Sequence, residues 1–106
     1  MTVMTWLFVD ANYDPLPEAN RFNGDLSKWD VSRVNTMYEA FHKAGKFLGS
    51  GLDKWTTGSV TILHSTFNEA AAFNVNLGNW DVSKVTTLEE TFYRAGKFLG
   101  SGLDKW

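Results

Sequence analysis

Large apolar residues recur along the chain at intervals of 25 or 26 positions, so that equivalent residues form columns. The columns with four members are Phe22, Phe47, Phe73 and Phe98; Leu26, Leu52, Leu77 and Leu103; Trp29, Trp55, Trp80 and Trp106. Twelve residues, AGKFLGSGLDKW, occur twice, at 44–55 and 95–106, which adds a longer period of 51. A period of this length is typical of repeat proteins, in which each unit buries its apolar face against the next.

Within one unit the apolar spacing changes, and the change predicts two kinds of element. The alternation across 29–31 favours a very short strand. Met37, Phe41 and Ala44 then follow at i, i+4 and i+7, which is the spacing of one helix face. A strand, a turn, a short helix and a return loop in about 25 residues describe one coil of a solenoid.

Two further signals support the helix prediction. Thr36 and Glu39 have the spacing of a capping box, in which each side chain satisfies an amide at the start of a helix. Gly45 and Gly96 follow the predicted helices, at positions where a left-handed residue commonly ends one. The unit boundaries are then 22–46, 47–72, 73–97 and a partial 98–106. Residues 1–21 fit this register poorly, and we expect them to form a degenerate N-terminal capping coil.

Composition limits the classes of function. The net charge of −2 suggests neither nucleic acid nor an anionic membrane as a partner. The chain has no cysteine, which excludes disulfides and thiolate metal sites. The apolar start, MTVMTWLFVD, is too short for the core of a signal peptide or for a membrane span. Eight phenylalanines and five tryptophans in 106 residues need an apolar environment, which favours one continuous core.

Two segments, FNGDLSKWDVSRVNTMYEAFHKA and FNVNLGNWDVSKVTTLEETFYRA, carry a more specific pattern. They resemble the 26-residue BspA-type repeat of bacterial surface proteins, a relative of leucine-rich repeats, and the resemblance covers residues 22–106. It implies an α/β repeat fold, namely a leucine-rich-repeat-like right-handed solenoid of about four coils with short parallel strands, short helices and loops. It also implies a role in adhesion or protein interaction at cell surfaces, although no signal peptide is evident in the chain.

Several residue types invite a sharper chemical interpretation. An outward-facing tryptophan column would form an aromatic ladder for sugar rings, but the flanking Leu and Val columns favour the core. Asp30 and Asp81 lie about 10 Å apart across a sheet, too far to share a proton or a calcium ion. We expect each to accept hydrogen bonds in a turn, with Ser32 or Ser83. His42 and His64 are expected on solvated helix faces.

No catalytic or metal-binding set can be assembled from neighbouring columns, so the sequence predicts neither an enzyme nor a cofactor. The remaining candidates are two surfaces. Six residues beside the predicted strands are candidates for contacts to a protein, a glycan or ice: Lys28, Asp30, Lys54, Thr56, Asn79 and Asp81. Three residues of the last coil are candidates for an end-on assembly face: Phe98, Leu103 and Trp106.

The assembly face has three explanations that the sequence leaves open. The chain is a fragment of a longer array, or it associates head-to-tail, or two ends meet in a dimer. The degenerate first coil favours a complete, self-associating chain. The leading prediction is a non-catalytic scaffold for protein interaction, adhesion or self-assembly. The alternative is a module that binds a glycan or an ice surface through its repetitive face.

Overall fold

The computed structural model describes residues 22–106, so the predicted capping coil at 1–21 lies outside the described residues. Regular secondary structure is scarce in this part of the chain. It consists of two 3-10 helices, Leu52–Lys54 and Leu103–Lys105, and of two isolated parallel bridges. The bridges join Thr36 to Ile62 and Ile62 to Thr87, which are equivalent positions in three successive units.

Hydrogen bonds between equivalent positions join the units into a stack. Between positions 37 and 43, the amide of every second residue donates to a carbonyl of the next unit at 2.8 to 3.1 Å. The pairs are Met37–Ile62, Glu39–His64, Phe41–Thr66 and Lys43–Asn68. The second unit donates to the third at 2.7 to 3.2 Å through Leu63–Thr87, Ser65–Glu89, Phe67–Thr91 and Glu69–Tyr93. Within these two sets the donor amides all point toward the C-terminal end of the stack. The amides of Thr61 and Thr86 donate in the opposite direction, to the carbonyls of Asn35 and Thr61.

The residues predicted to form helices instead form two consecutive turns in each unit. The amide of Ala40 donates to the carbonyl of Met37 at 3.0 Å, and the third residue of this turn, Glu39, has φ of 54°. The next turn has its left-handed residue at Lys43, with φ of 61°. A right-handed helix cannot contain such residues. The later units repeat the feature at Ser65, Glu69, Glu90 and Arg94.

The predicted glycine caps are also wrong. Gly45 and Gly96 do not adopt positive φ; the glycines that do are Gly49, Gly51, Gly100 and Gly102. Gly51 and Gly102 immediately precede the 3-10 helices, with φ of 92° and 88°. A Cβ at Gly51 would collide with the backbone nitrogen of Ser27, so glycine is required there for contact between units as well as for conformation.

No strand forms over residues 29–31. The amide of Trp29 donates to the carbonyl of Leu26 at 3.1 Å, and the amide of Val34 donates to that of Val31 at 2.9 Å. Because the backbone turns twice within nine residues, it is not extended enough to pair as a strand. The parallel bridges lie further along each unit.

The apolar columns meet in one hydrophobic core. Phe41, Phe67 and Phe92 stack almost parallel, with ring centroids 5.5 and 5.6 Å apart. The rings of Trp29, Trp55, Trp80 and Trp106 stack at successive distances of 6.5, 6.2 and 6.5 Å. Trp55 and Trp80 are only 4% exposed, which confirms the core interpretation for the two inner members of the tryptophan column.

Three of the four stacked indoles, those of Trp55, Trp80 and Trp106, are also held by a hydrogen bond to the preceding unit. The indole N–H of Trp55 donates to the carbonyl of Leu26 at 2.8 Å, and that of Trp80 donates to the carbonyl of Leu52 at 2.8 Å. A buried Trp N–H that lacked an acceptor would cost free energy, so this bond fixes the ring in its place. The tryptophan column thus links adjacent units through both ring stacking and hydrogen bonding.

Candidate functional site

Exposure rises at the last member of each column of large apolar residues. Met37 and Leu63 are fully buried, whereas Leu88, the third member of their column, is 50% exposed. Phe41 and Phe67 are buried, and Phe92 is partly exposed. We call the set of last members the C-terminal end face: Val82, Val85, Leu88, Phe92, Phe98, Leu103 and Trp106.

The opposite end of the described stack differs. Val31, Val34 and Met37, the first members of their columns among residues 22–106, are buried to 2% exposure or less. Trp29 is an exception and is more than one-third exposed. Within the described part of the chain, the uncovered apolar surface is thus concentrated at the C-terminal end.

The structure places all three predicted assembly residues in this face. Phe98 contacts Phe92 with ring centroids 4.5 Å apart, and Trp106 contacts the same ring at 6.1 Å. The indole N–H of Trp106 donates to the carbonyl of Leu77 at 3.0 Å, so the terminal ring is anchored although partly exposed. Leu103 is the third predicted member and is partly exposed as well.

Sequence reasoning missed the other half of the face, which comes from the third unit. Leu88 ends the column of Met37 and Leu63, and Phe92 ends the column of Phe41 and Phe67, but the exposure of these last members was not predicted. The signal was available, because neither column has a fourth member in the chain. A column that ends leaves its last residue without a covering neighbour, and Leu88 shows this effect most strongly among the large residues of the end face.

Polar and charged side chains at equivalent turns contact one another between successive units. Glu69 lies between two cations, with its carboxylate 4.0 Å from Lys43 Nζ and 3.5 Å from Arg94 Nη1. His64 Nδ1 lies 3.5 Å from a carboxylate oxygen of Glu89. The two ion pairs of Glu69 are solvated and contribute little to stability, but they join equivalent turns in successive units.

The histidines do not lie on solvated helix faces as predicted, because these segments form turns and both side chains are partly buried. His64 stacks on Tyr38 with ring centroids 5.0 Å apart. His42 lies in the unit before that of His64. Its side chain is half-buried, and this burial lowers its pKa. His64 therefore belongs to the packing between units, and His42 is half-buried rather than solvated.

The six residues predicted to flank strands are all exposed: Lys28, Asp30, Lys54, Thr56, Asn79 and Asp81. They lie in turns and loops, since no strand forms beside them. Asn79 Nδ2 donates to the carbonyl of Asp53 in the preceding unit at 3.5 Å, a contact at the limit for a hydrogen bond. Their role in contacts to a ligand stays a prediction.

The two aspartates of this group form the turns that the sequence predicted. The amide and hydroxyl of Ser32 both donate to Asp30 Oδ1, at 3.0 and 2.6 Å, and Ser83 donates to Asp81 Oδ1 at the same distances. These bonds, from the hydroxyl first and then from the amide, hold the pKa of each carboxyl below its ordinary value of 3.8.

Lowered pKa values make the stability of the fold depend on acidity. The stabilisation is fully present above the ordinary pKa and is lost as the pH falls through the lowered value. We expect the denaturation midpoint to fall as the pH is lowered from about 5 through the ordinary carboxyl pKa of 3.8 and below it. The decline should be smaller in an Asp30→Asn/Asp81→Asn double variant, because asparagine keeps the acceptor and does not titrate. Equal declines in denaturation curves of the two proteins would contradict the assignment.

The described residues offer little to a small ligand. Over residues 22–106 there is no pocket and no group of three or more His, Asp or Glu side chains placed to hold a metal ion. No helix in the same part of the chain is long and apolar enough to cross a membrane. The C-terminal end face is consequently the strongest candidate site.

One known protein family matches nearly the whole chain. The family described as "Mycoplasma protein of unknown function, DUF285" matches residues 3–106. The chain belongs to this family. The DUF285 match covers all of the described units and most of the residues that precede them. No curated protein and no solved structure matches the DUF285 chain.

Proposed function

We propose that this chain is a non-catalytic repeat scaffold that binds protein, including other copies of itself, through its C-terminal end face. The observation that carries the proposal is the exposure of Leu88 and its neighbours, whose equivalents in earlier units are buried. A contiguous apolar surface of this kind on a folded domain is typical of an interaction site. The repeated columns consist of packing residues, which suits a scaffold rather than a catalyst.

Two finer points belong to the same proposal. The stacked units form a right-handed, leucine-rich-repeat-like solenoid, which the hydrogen bonds between equivalent positions support. The DUF285 repeat is a BspA-type surface repeat, which the WDVS segments at 29–32 and 80–83 with their spaced Phe and Ala support. A surface location and a role in adhesion follow from this relation.

The test is the mass of the protein in solution, measured by light scattering over a wide range of concentration. We expect the wild-type mass to rise with concentration, and a Leu88→Asp variant to stay monomeric because the carboxylate would have to be desolvated in the contact. Leu48→Asp is the matched control, since Leu48 is 49% exposed but lies in the second unit, away from the end face.

A wild-type protein that stays monomeric at high concentration would remove self-association from the proposal. A Leu48→Asp variant that dissociates as completely as Leu88→Asp would instead show that contact occurs along the side of the stack. Circular dichroism of each variant checks that the substitution has not unfolded the chain.

A further inference from the structure

Four backbone amides at the C-terminal end lack the partners that their equivalents have. In the first two units, every second amide between positions 37 and 43, and again between 63 and 69, donates to the next unit. The equivalent amides of the third unit belong to Leu88, Glu90, Phe92 and Arg94. Within residues 22–106, none of these four donates a hydrogen bond.

The unused donors and the end face occupy the same side of the third unit. Leu88 and Phe92 contribute both an amide and an exposed side chain to it. The surface therefore has the same two parts as the contact between successive units, namely a row of backbone amide donors and an adjacent apolar surface. Its complement is a chain segment that presents carbonyls at alternate positions and apolar side chains between them.

This polarity decides between two ways of covering the face. If two end faces met about a twofold axis, donors would face donors and the four amides would gain no acceptors. A further unit that enters parallel to the third supplies carbonyls, as Ile62, His64, Thr66 and Asn68 do within the chain. The parallel arrangement satisfies the backbone as well as the side chains.

We propose that the C-terminal end face binds a further unit of this same repeat, in parallel and in a single register. This inference rests on the proposed function and specifies its partner. The four amides donate to alternate carbonyls of the incoming unit, and Leu88 and Phe92 become buried beneath it. The contact is heterologous, because the C-terminal side of the third unit meets the N-terminal side of the incoming unit.

The chain contains a template for the incoming segment. Residues 95–106 are identical to residues 44–55, and the latter are covered by the segment around Trp80. The ring of Trp80 stacks on Trp55 at 6.2 Å, and its N–H donates to the carbonyl of Leu52. The incoming unit accordingly places a tryptophan on Trp106 and donates its indole N–H to the carbonyl of Leu103.

The experiment extends the full chain by joining a copy of residues 56–80 after Trp106. Amide hydrogen exchange, followed by NMR, then reports on the four donors directly. We expect exchange at Leu88, Glu90, Phe92 and Arg94 to slow at least about tenfold, as these amides gain acceptors. The control is an extension of the same composition in scrambled order, which offers no register and should leave the four rates unchanged.

Retained protection of the Leu63, Ser65, Phe67 and Glu69 amides checks that the extended chain has folded. Unchanged rates at the four donors in a folded extended chain would overturn the inference. A second measurement uses the unextended chain at a concentration where it associates. Slowed exchange at the four amides supports parallel docking, whereas association with fast exchange contradicts it and leaves the proposed function intact. Failure of the unextended chain to associate counts against the proposed function alone.

Discussion

Replacing Phe67 by alanine is expected to lower the free energy of unfolding by about 3–5 kcal/mol. Phe67 is fully buried and lies at the centre of the aromatic core. Its ring lies 4.1 Å from that of Phe73, and between 5.5 and 6.0 Å from those of Phe41, Trp80 and Phe92. The cavity left by the substitution is enclosed by units on both sides and cannot collapse without moving hydrogen-bonded backbone. Guanidinium denaturation followed by tryptophan fluorescence measures the loss.

Phe92→Ala is the matched control, because Phe92 is the last member of the same column and is covered by a unit on one side only. We expect roughly half the loss seen for Phe67→Ala, since less apolar surface is removed from the core. If the two variants were equally destabilised, the third unit would have to be as well covered as the second. That result would contradict the exposed end face.

Gly51→Ala is expected to cost about 2–5 kcal/mol, a large effect for the addition of one methyl group. Two independent causes contribute. The backbone of Gly51 has φ of 92°, where a side chain is strained, and the new Cβ would collide with the backbone nitrogen of Ser27 in the preceding unit. The obstacle is backbone, so it cannot be relieved by a rotamer change. Thermal and chemical denaturation both measure the effect.

Gly96→Ala provides the comparison for this prediction. Gly96 has an ordinary φ, and a Cβ added there meets nothing within 4 Å. We expect a change of no more than about 0.5 kcal/mol, with a gain as plausible as a loss because alanine restricts the unfolded chain. A Gly51→Ala variant as stable as Gly96→Ala would show that the units are not in the close contact described.

The side chains that repeat were predictable from the sequence, and the backbone that carries them was not. The inner members of the columns headed by Phe22, Leu26 and Trp29 enter one core, as the period predicted, whereas Trp29 and Leu103 lie outside it. Periodicity reports which residues share an environment, and burial depends mainly on this. It contains no information on the dihedral angles by which the chain brings those residues inward.

The failed helix prediction shows the ambiguity directly. Met37 and Phe41 begin successive turns and both enter the core, so an apolar residue recurs every four positions. This spacing is close to the 3.6-residue period of a helix and cannot be separated from it over eight residues. The left-handed positions hold Glu39 and Lys43 rather than glycine or asparagine, so the usual sequence signal of such turns was absent.

The candidate site was partly predictable for a similar reason. Phe98 and Trp106 were identified because they stand at the end of a visible repeat. The donor amides of Leu88 and Phe92 were not, because every non-proline residue carries the same amide and only the structure shows which lack acceptors. A row of unpaired backbone amides therefore cannot be recognised from the amino-acid sequence.

The bonds between units also determine how the chain must fold. The hydrogen bond between Met37 and Ile62 closes a loop of 25 residues. The described chain has no helix of more than three residues that could form before such long-range contacts. Folding is therefore limited by chain closure rather than by local nucleation, and it is slower than that of a helical bundle of equal size. Once two units have docked, each later unit folds against an existing surface. The first docking step therefore has the highest free-energy barrier, and the addition of each later unit has a lower one.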